Sequence, residues 1–371
     1  MTSLASKALP PHYYFDPEVF LYEKEKIFKS NWLFAGTQSA VNQHNDFVTF
    51  DVLGYPILIQ NIHDEIQAFI NICSHRKCKI QLKERGNRPL VCPYHNWSYG
   101  IDGKLKGIPK NSTDFEIDTQ TKRDLSLKKV YLERCGNFLF INLSKPKIGL
   151  RAYLGNFFEI LEDLSFSFPE QVKTGSYNWS ANWKLAIETV LEVYHVPGTH
   201  PDTFSKIADD SCEVLLEKCH NSGHSDLHLE PKKWWGFIRK KLKLPQHKVY
   251  TEYNHFFIYP NLAIGITNGT LLSVQTYLPD GVNSCTLTFS LSLTKKSQNT
   301  QSGKDTPKSL TALKKAAISN FCNFNHATLE EDREMAEACH KNLLFADTSG
   351  ILGKCEERIS HFHRSWRQDV L

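Results

Sequence analysis

Two thiols and two imidazoles stand in pairs, Cys73 with His75 and Cys92 with His95, and sixteen residues separate the pairs. Each is a ligand for zinc or iron once the thiol is deprotonated and the imidazole neutral. A finger-type zinc site draws both cysteines from one loop and both histidines from another. Here each loop, C-S-H and C-P-Y-H, offers one of each. That mixed order suits a [2Fe–2S] cluster in which one iron takes two cysteines and the other two histidines. Such a centre is reduced at roughly −150 to +300 mV and relays single electrons. A relay needs an acceptor, and a chain of 371 residues has room for one.

The acceptor is sought in a second constellation. The pattern from Asn182 to His195 predicts one helix, stopped by Pro197-Gly198, with Glu188, Glu192 and His195 on one face and apolar residues on the others. Burying two carboxylates and an imidazole is costly unless they are paired or bind metal. His200 lies just past the stop, where a turn can bring it beside His195. In the later helix, Asp332 lies within the apolar stripe of Leu329, Met335, Ala336, Cys339 and Leu343, while Glu330, Glu331, Glu334 and Glu337 point away. Two histidines and one carboxylate are the facial triad of non-haem Fe(II) sites.

The elements that must position these groups form an α+β chain. Asp16-Pro17-Glu18 opens a helix that ends before Trp32. Alternation in Phe47–Val52 and Pro56–Gln60, the Asp102-Gly103 turn and the run Val130–Asn142 predict a small all-β module. After Lys145-Pro146-Lys147 the pattern turns helical from Leu150 to Leu164. The runs Leu271–Tyr277 and Thr286–Leu291 then belong to a larger antiparallel sheet, and helix returns from Ser309 to Leu344. The polar run Lys295–Lys308 reads as a mobile loop. The expected division is an N-terminal segment, 1–39, packing with the catalytic domain, an all-β domain, 40–145, and a catalytic domain, 146–371.

Composition adds exclusions. No run of about 18 apolar residues occurs, so no membrane span is expected. The first residues carry no apolar signal core, and the expected location is cytoplasmic. Ten scattered cysteines suggest reduced thiols, Cys78 being a rival to Cys73 as ligand. A net charge of +4 does not imply nucleic acid. Between Cys73 and Lys110, however, nine basic residues face two acids, so this surface is either a dock for an acidic electron donor or a solvated or subunit-contact face. Trp234, Trp235, Tyr253, Phe256, Phe257 and Tyr259 form either an aromatic box for a cation or ordinary core.

From Tyr13 to Trp366, through C-x-H…C-P-Y-H-x-W, N-W-K…E…E-x-Y-H-x4-H, Glu331-Asp332 and Phe362-His363-x-x-Trp366, the chain resembles the catalytic α subunit of Rieske non-haem iron oxygenases, the ring-hydroxylating oxygenase family. The resemblance implies a Rieske domain followed by a helix-grip catalytic domain, an antiparallel sheet around a long helix. It implies that Cys73, His75, Cys92 and His95 hold a [2Fe–2S] cluster and that His195, His200 and Asp332 hold a mononuclear Fe(II). Glu192 matches the family's bridging carboxylate, which joins an iron-ligand histidine to the cluster histidine of the next subunit in a homotrimer, with or without β subunits. The implied activity is that of a terminal oxygenase: electrons from a ferredoxin or flavin reductase and O2 are used to hydroxylate or oxidatively demethylate a small organic substrate, or to cis-dihydroxylate an aromatic one. An electron carrier would leave His195, His200 and Asp332 unexplained, and a zinc-stabilised binding protein would leave the acidic helix so. Lys77, Asn96, Thr189 and His340 depart from the family's usual residues, and Glu192 in place of Asp resembles members acting on quaternary amines.

Overall fold

Apolar runs too continuous for a half-exposed strand become interior strands of the first sheet. The computed structural model describes residues 5–294 and 308–371, so the expected loop at Lys295–Lys308 lies almost wholly outside the described residues. The chain divides into one unit of Phe28–Glu162 and another of Met1–Ile27 with Asp163–Leu371.

In the Phe28–Glu162 unit the strands are β1 (Leu33–Thr37), β2 (Asp46–Val52), β3 (Tyr55–Ile62), β4 (Glu65–Ile70), β5 (Arg85–Asn87), the short hairpin β6 (Ser98–Tyr99) and β7 (Leu105–Gly107), then β8 (Lys129–Cys135) and β9 (Phe138–Asn142). Seven of them make an antiparallel sheet in the order β1-β9-β8-β4-β3-β2-β5. Ile57–Ile62 of β3 and all of β9 are buried, as the apolar runs Ile57–Ile59 and Phe138–Ile141 require, and the polar Gln60 and Asn61 within β3 are satisfied by donating to Arg88 and Val41 C=O. Gly103, at φ +76°, turns the β6–β7 hairpin where a Cβ would strike the Phe69 ring. The boundaries differ from the expected 39/40 and 145/146. The sequence reading followed the composition change at Lys145-Pro146-Lys147, whereas packing decides membership: β1 pairs with β9, and beyond the junction Leu150 N–H donates to Glu133 Oε2 at 3.0 Å.

In the second unit β10 (Glu170–Trp179), β11 (Glu213–Glu217), β12 (His220–Ser225), β13 (Tyr253–Ile258), β14 (Leu262–Thr267), β15 (Leu271–Gly281) and β16 (Ser284–Leu293) form an antiparallel sheet ordered β10-β16-β15-β14-β13-β12-β11. Its helices are α1 (Pro17–Glu23), α2 (Trp183–Glu188), α3 (Leu229–Leu242), α4 (Lys308–Leu343) and α5 (Glu357–Val370). Asp16 caps α1 by accepting from Glu18 N–H at 2.8 Å. Its last residue, Glu23, is fully buried and pairs with buried Lys184, while the indole N–H groups of Trp183 and Trp366 donate to it at 2.8 and 2.7 Å. This knot ties α1, α2 and α5 together.

Two helical expectations need correction. The helix expected from Asn182 to His195 ends at Glu188, and a separate turn, Val196–Thr199, follows. Glu188 therefore leaves the site and accepts from Tyr14 Oη and His363 Nε2 at 2.7 and 2.8 Å. On α4 the buried stripe is Ala317, Phe321, Leu329, Asp332, Ala336 and His340, spaced by threes and fours except for the two-turn step from Phe321 to Leu329, whereas Met335 and Cys339 are exposed.

Candidate metal centres and substrate cavity

The loop between β4 and β5 carries Cys73 and His75, and the loop between β5 and β6 carries Cys92 and His95. The two loops repeat one turn. Lys77 N–H donates to Cys73 C=O at 3.0 Å and Cys73 N–H to Cys78 C=O at 2.8 Å; Asn96 to Cys92 and Cys92 to Trp97 match them at the same distances. Each turn needs a left-handed residue, Lys77 at φ +61° and Asn96 at φ +57°. Buried Asn71 pins the base of the first loop, accepting from Ile80 and Gln81 N–H and donating to Gln81 C=O. These two departures from the family's usual residues thus share one backbone position.

Cys73 and Cys92 are buried beside Trp97, Phe69 and Leu105, while His75 and His95 lie nearer solvent with ring centroids 4.6 Å apart. His75 stacks on Trp97 at 4.6 Å, and its Nδ1 is buried without a hydrogen-bond partner. Burial, then His95 and Arg76, hold His75 below its ordinary value, so the ring offers a free lone pair. Burial raises the Cys73 thiol, so a thiolate there requires positive charge beside it. Tyr99 Oη lies 3.2 Å from Cys73 Sγ and accepts from Ser74 N–H at 3.1 Å. Inner thiols, outer imidazoles and an unused nitrogen fit a cluster ligated by two cysteines and two histidines.

In the second unit, the short turn after α2 lets His200 fold back on His195. Their Nε2 atoms are 3.1 Å apart, and both face Asp332 Oδ1, at 3.4 Å from His195 and 3.1 Å from His200. One donor atom from each residue lies within 4.8 Å of the others. Glu192 accepts at His195 Nδ1, and Glu331 accepts at His200 Nδ1 at 2.6 Å while also taking the Thr203 hydroxyl. Both rings are thereby turned with Nε2 inward, as carboxylate-oriented metal histidines are. Glu331 was expected to point away, but it borders Asp332 on the flank of the buried stripe. Burial works against charge on His195, yet Asp332 and Glu192 outweigh it and hold the ring at about 9. Burial likewise opposes ionisation of Asp332, and the two histidines hold it below its ordinary value all the same. A donor set that draws a proton to its centre is one suited to a cation.

Glu192, His195, His200 and Asp332 line a cavity of about 650 Å³ between α4 and the inward face of the sheet. Strand alternation selects that face: Gly223 and Ser225 of β12 lie opposite His255 and Tyr253 of β13, which lie opposite Gly265 and Thr267 of β14. Of the aromatic set, Trp234, Trp235 and Tyr253 reach the cavity, and Phe321 stacks on Trp235 at 4.6 Å. Phe257 and Tyr259 instead pack around Phe362, and Phe256 against Tyr250. Thr189 is in the wall with its hydroxyl donated to Ala186 C=O, whereas His340 bonds Asn283 outside it. Asn325 Nδ2 and Thr328 Oγ1, also in the wall, are buried without hydrogen-bond partners.

Residues 169–370 match the family described as ring hydroxylating alpha subunit (catalytic domain), and residues 31–128 match the Rieske [2Fe–2S] domain. The chain therefore belongs to the ring-hydroxylating α-subunit family, whose two domains carry a [2Fe–2S] cluster and a mononuclear iron. It is 28% identical to the glycine betaine monooxygenase oxygenase subunit of Pseudomonas aeruginosa over 55% of this chain, spanning about half (47%) of that relative. It is 26% identical to the chloroplastic choline monooxygenase of Beta vulgaris over 98% of this chain and 76% of that one. The quaternary ammonium Rieske monooxygenase CntA with bound L-carnitine has the same fold (TM-score 0.78, 20% identity, 99% and 96% covered). So does naphthalene 1,2-dioxygenase from Rhodococcus sp. with bound indole (0.79, 20%, 98% and 94%). Among the described residues no helix is long and apolar enough to cross a membrane.

Proposed function

We propose that this chain is the terminal oxygenase component of a Rieske system, oxidising a small organic molecule with O2 and electrons from a ferredoxin or flavin reductase. The observation that carries this reading is the convergence of His195, His200 and Asp332 on one point in the wall of the cavity. Cys73, His75, Cys92 and His95 would hold the cluster, and His195, His200 and Asp332 the iron; when bound, these supply one-electron transfer and a centre for O2 chemistry with open positions. The chain's part is to orient. Glu192 and Glu331 fix the ring planes from behind, and the apolar walls and the Trp235–Phe321 stack keep bulk water from the substrate. The same Glu192 would connect to His95 of a neighbouring subunit in a homotrimer, with or without β subunits; CntA is described with inter-subunit electron transfer.

Hydroxylation or oxidative N-demethylation of a quaternary ammonium compound is the favoured reaction. Relatives are named for glycine betaine and choline, and Trp234 and Trp235 offer faces to a cation. The test is iron, sulfide and zinc analysis with low-temperature EPR on anaerobically purified, reduced protein, then turnover of N-methyl, amine and aromatic compounds with hydrogen peroxide release as the uncoupling control. About three irons per two sulfides, a Rieske signal and coupled product are expected. A colourless zinc protein would overturn the reading, and coupled cis-diol formation would move it to the aromatic dioxygenases.

A further inference from the structure

The inward face of α5 holds Ile359, Phe362 and Trp366, and with them a cation, Arg358, only 3% exposed. Its Nε donates to Asn221 Oδ1 at 2.7 Å and its Nη2 to His255 Nδ1 at 2.6 Å. Cys212 Sγ is a further hydrogen-bond neighbour. Gly223 makes room for the group, since a Cβ there would come within 2.8 Å of Arg358 Nη1. Burial and then Arg358 itself keep His255 well below its ordinary value, so that ring is a neutral acceptor. Burial lowers the guanidinium to about 10, which leaves it charged at neutral pH.

None of these neighbours is a carboxylate. The ion pairs formed by described residues include none at Arg358, and no other arginine or lysine among the described residues lines the cavity. The same unit shows what the chain does when burial of a cation is purely structural: Lys184, fully buried, is given Glu23. Arg358 has the cavity where Lys184 has a carboxylate. Desolvating a cation without a counter-charge is costly, and a guanidinium's planar fork matches a carboxylate through two parallel hydrogen bonds.

We propose that Arg358 anchors a carboxylate of the substrate, so that the molecule taken into the cavity is an organic acid held with its reacting end towards His195, His200 and Asp332. This deepens the oxygenase reading and rests on it for the reaction, though not for the binding. Among quaternary ammonium compounds it selects betaines and carnitine-like acids over alcohols such as choline.

The test is calorimetric binding to the reduced holoenzyme without oxygen, using acids paired with their neutral amides: glycine betaine, L-carnitine, benzoate and phenylacetate, each against its primary carboxamide. At least one acid should bind roughly ten- to hundredfold more tightly than its amide, the range set by charge-assisted hydrogen bonds. Arg358→Gln should bring that ratio close to one, and Arg358→Lys should retain part of it. A purely structural arginine would weaken acid and amide together and leave the ratio alone. Four pairs without preference in the unsubstituted protein, or a preference that survives Arg358→Gln, overturn the assignment. Because the ratio is read first on the unsubstituted protein, a variant that fails to fold does not remove the test. Acid preference without turnover of any compound would sink the oxygenase reading and leave the anchor; turnover without preference would do the reverse.

Discussion

In the Phe28–Glu162 unit each Cys–His pair is made by a loop whose backbone closes on itself within six residues, Cys73 to Cys78 and Cys92 to Trp97. In the catalytic unit His200 meets an aspartate 132 residues further along, and the rings are aimed by Glu192 and Glu331. The first arrangement depends on local turn geometry, the second on where α4 is packed. A change in the α4 stripe should therefore disturb the triad and leave the loops alone, while a change of turn residue should do the opposite.

Removing a ligand from each side is the sharpest way to break that comparison. Cys92→Ser should abolish the visible absorption and EPR signal of the cluster, whereas Asp332→Ala should keep both and lower iron from about three to about two per chain. Turnover should fall to background in both. An Asp332→Ala protein that kept three irons would end the case for this carboxylate as a ligand. Next in size is Glu331→Gln, expected to weaken metal binding about 10- to 100-fold in cobalt(II) titrations of chelator-stripped protein, as outer-shell partners do. Glu330, which pairs with Arg333 instead, is the control, and Glu330→Gln should change the affinity little.

Proton competition comes third. His195 is held at about 9 in the metal-free protein, above its ordinary 6.5. The stabilisation from its proton is thus complete below about pH 6.5 and is lost as pH rises through about 9. A metal must displace that proton, so cobalt(II) affinity of the stripped protein should climb by up to about tenfold per pH unit between about 6.5 and 8.5. A flat profile would mean that the carboxylates do not hold a proton there. The smallest effect belongs to the loops. Lys77→Gly relieves a left-handed lysine and should stabilise by about 1 kcal/mol in chemical denaturation, while Asn96→Gly should give only a few tenths, asparagine tolerating that conformation. Equal gains would deny that the two turns differ in strain.

These contrasts also explain what could be read from sequence. The spacing within each Cys–His pair and the lone acid at Asp332 are local patterns legible in the sequence, whereas the stop expected at Pro197-Gly198 is not where the helix breaks: α2 ends at Glu188, and Pro197-Gly198 lie inside the turn Val196–Thr199. Glu331 was not legible, because beside Asp332 on a helix flank it resembles any solvated acid until His200 and Thr203 arrive. Glu188 shared a helical face with Glu192 on paper, but Tyr14 and His363, remote in sequence, claim it where the helix ends. β1 was missed for a like reason: Leu33–Thr37 gains its identity as a strand only by pairing with Phe138–Asn142. Arg358 carried no signal in the sequence, since what sets it apart is that no carboxylate of the described residues is paired with it.

The knot at Glu23 sets an order of events during synthesis. The Phe28–Glu162 unit is one uninterrupted stretch and can close as soon as the ribosome has released it. Glu23, made earlier, must wait 161 residues for the ammonium of Lys184 and 343 for the indole of Trp366. Until then α1 carries an acid destined for burial with nothing to receive it. Within its unit, α1 is therefore among the last elements to settle, and a ribosome stalled before Trp366 would hold a finished first unit and an open second one.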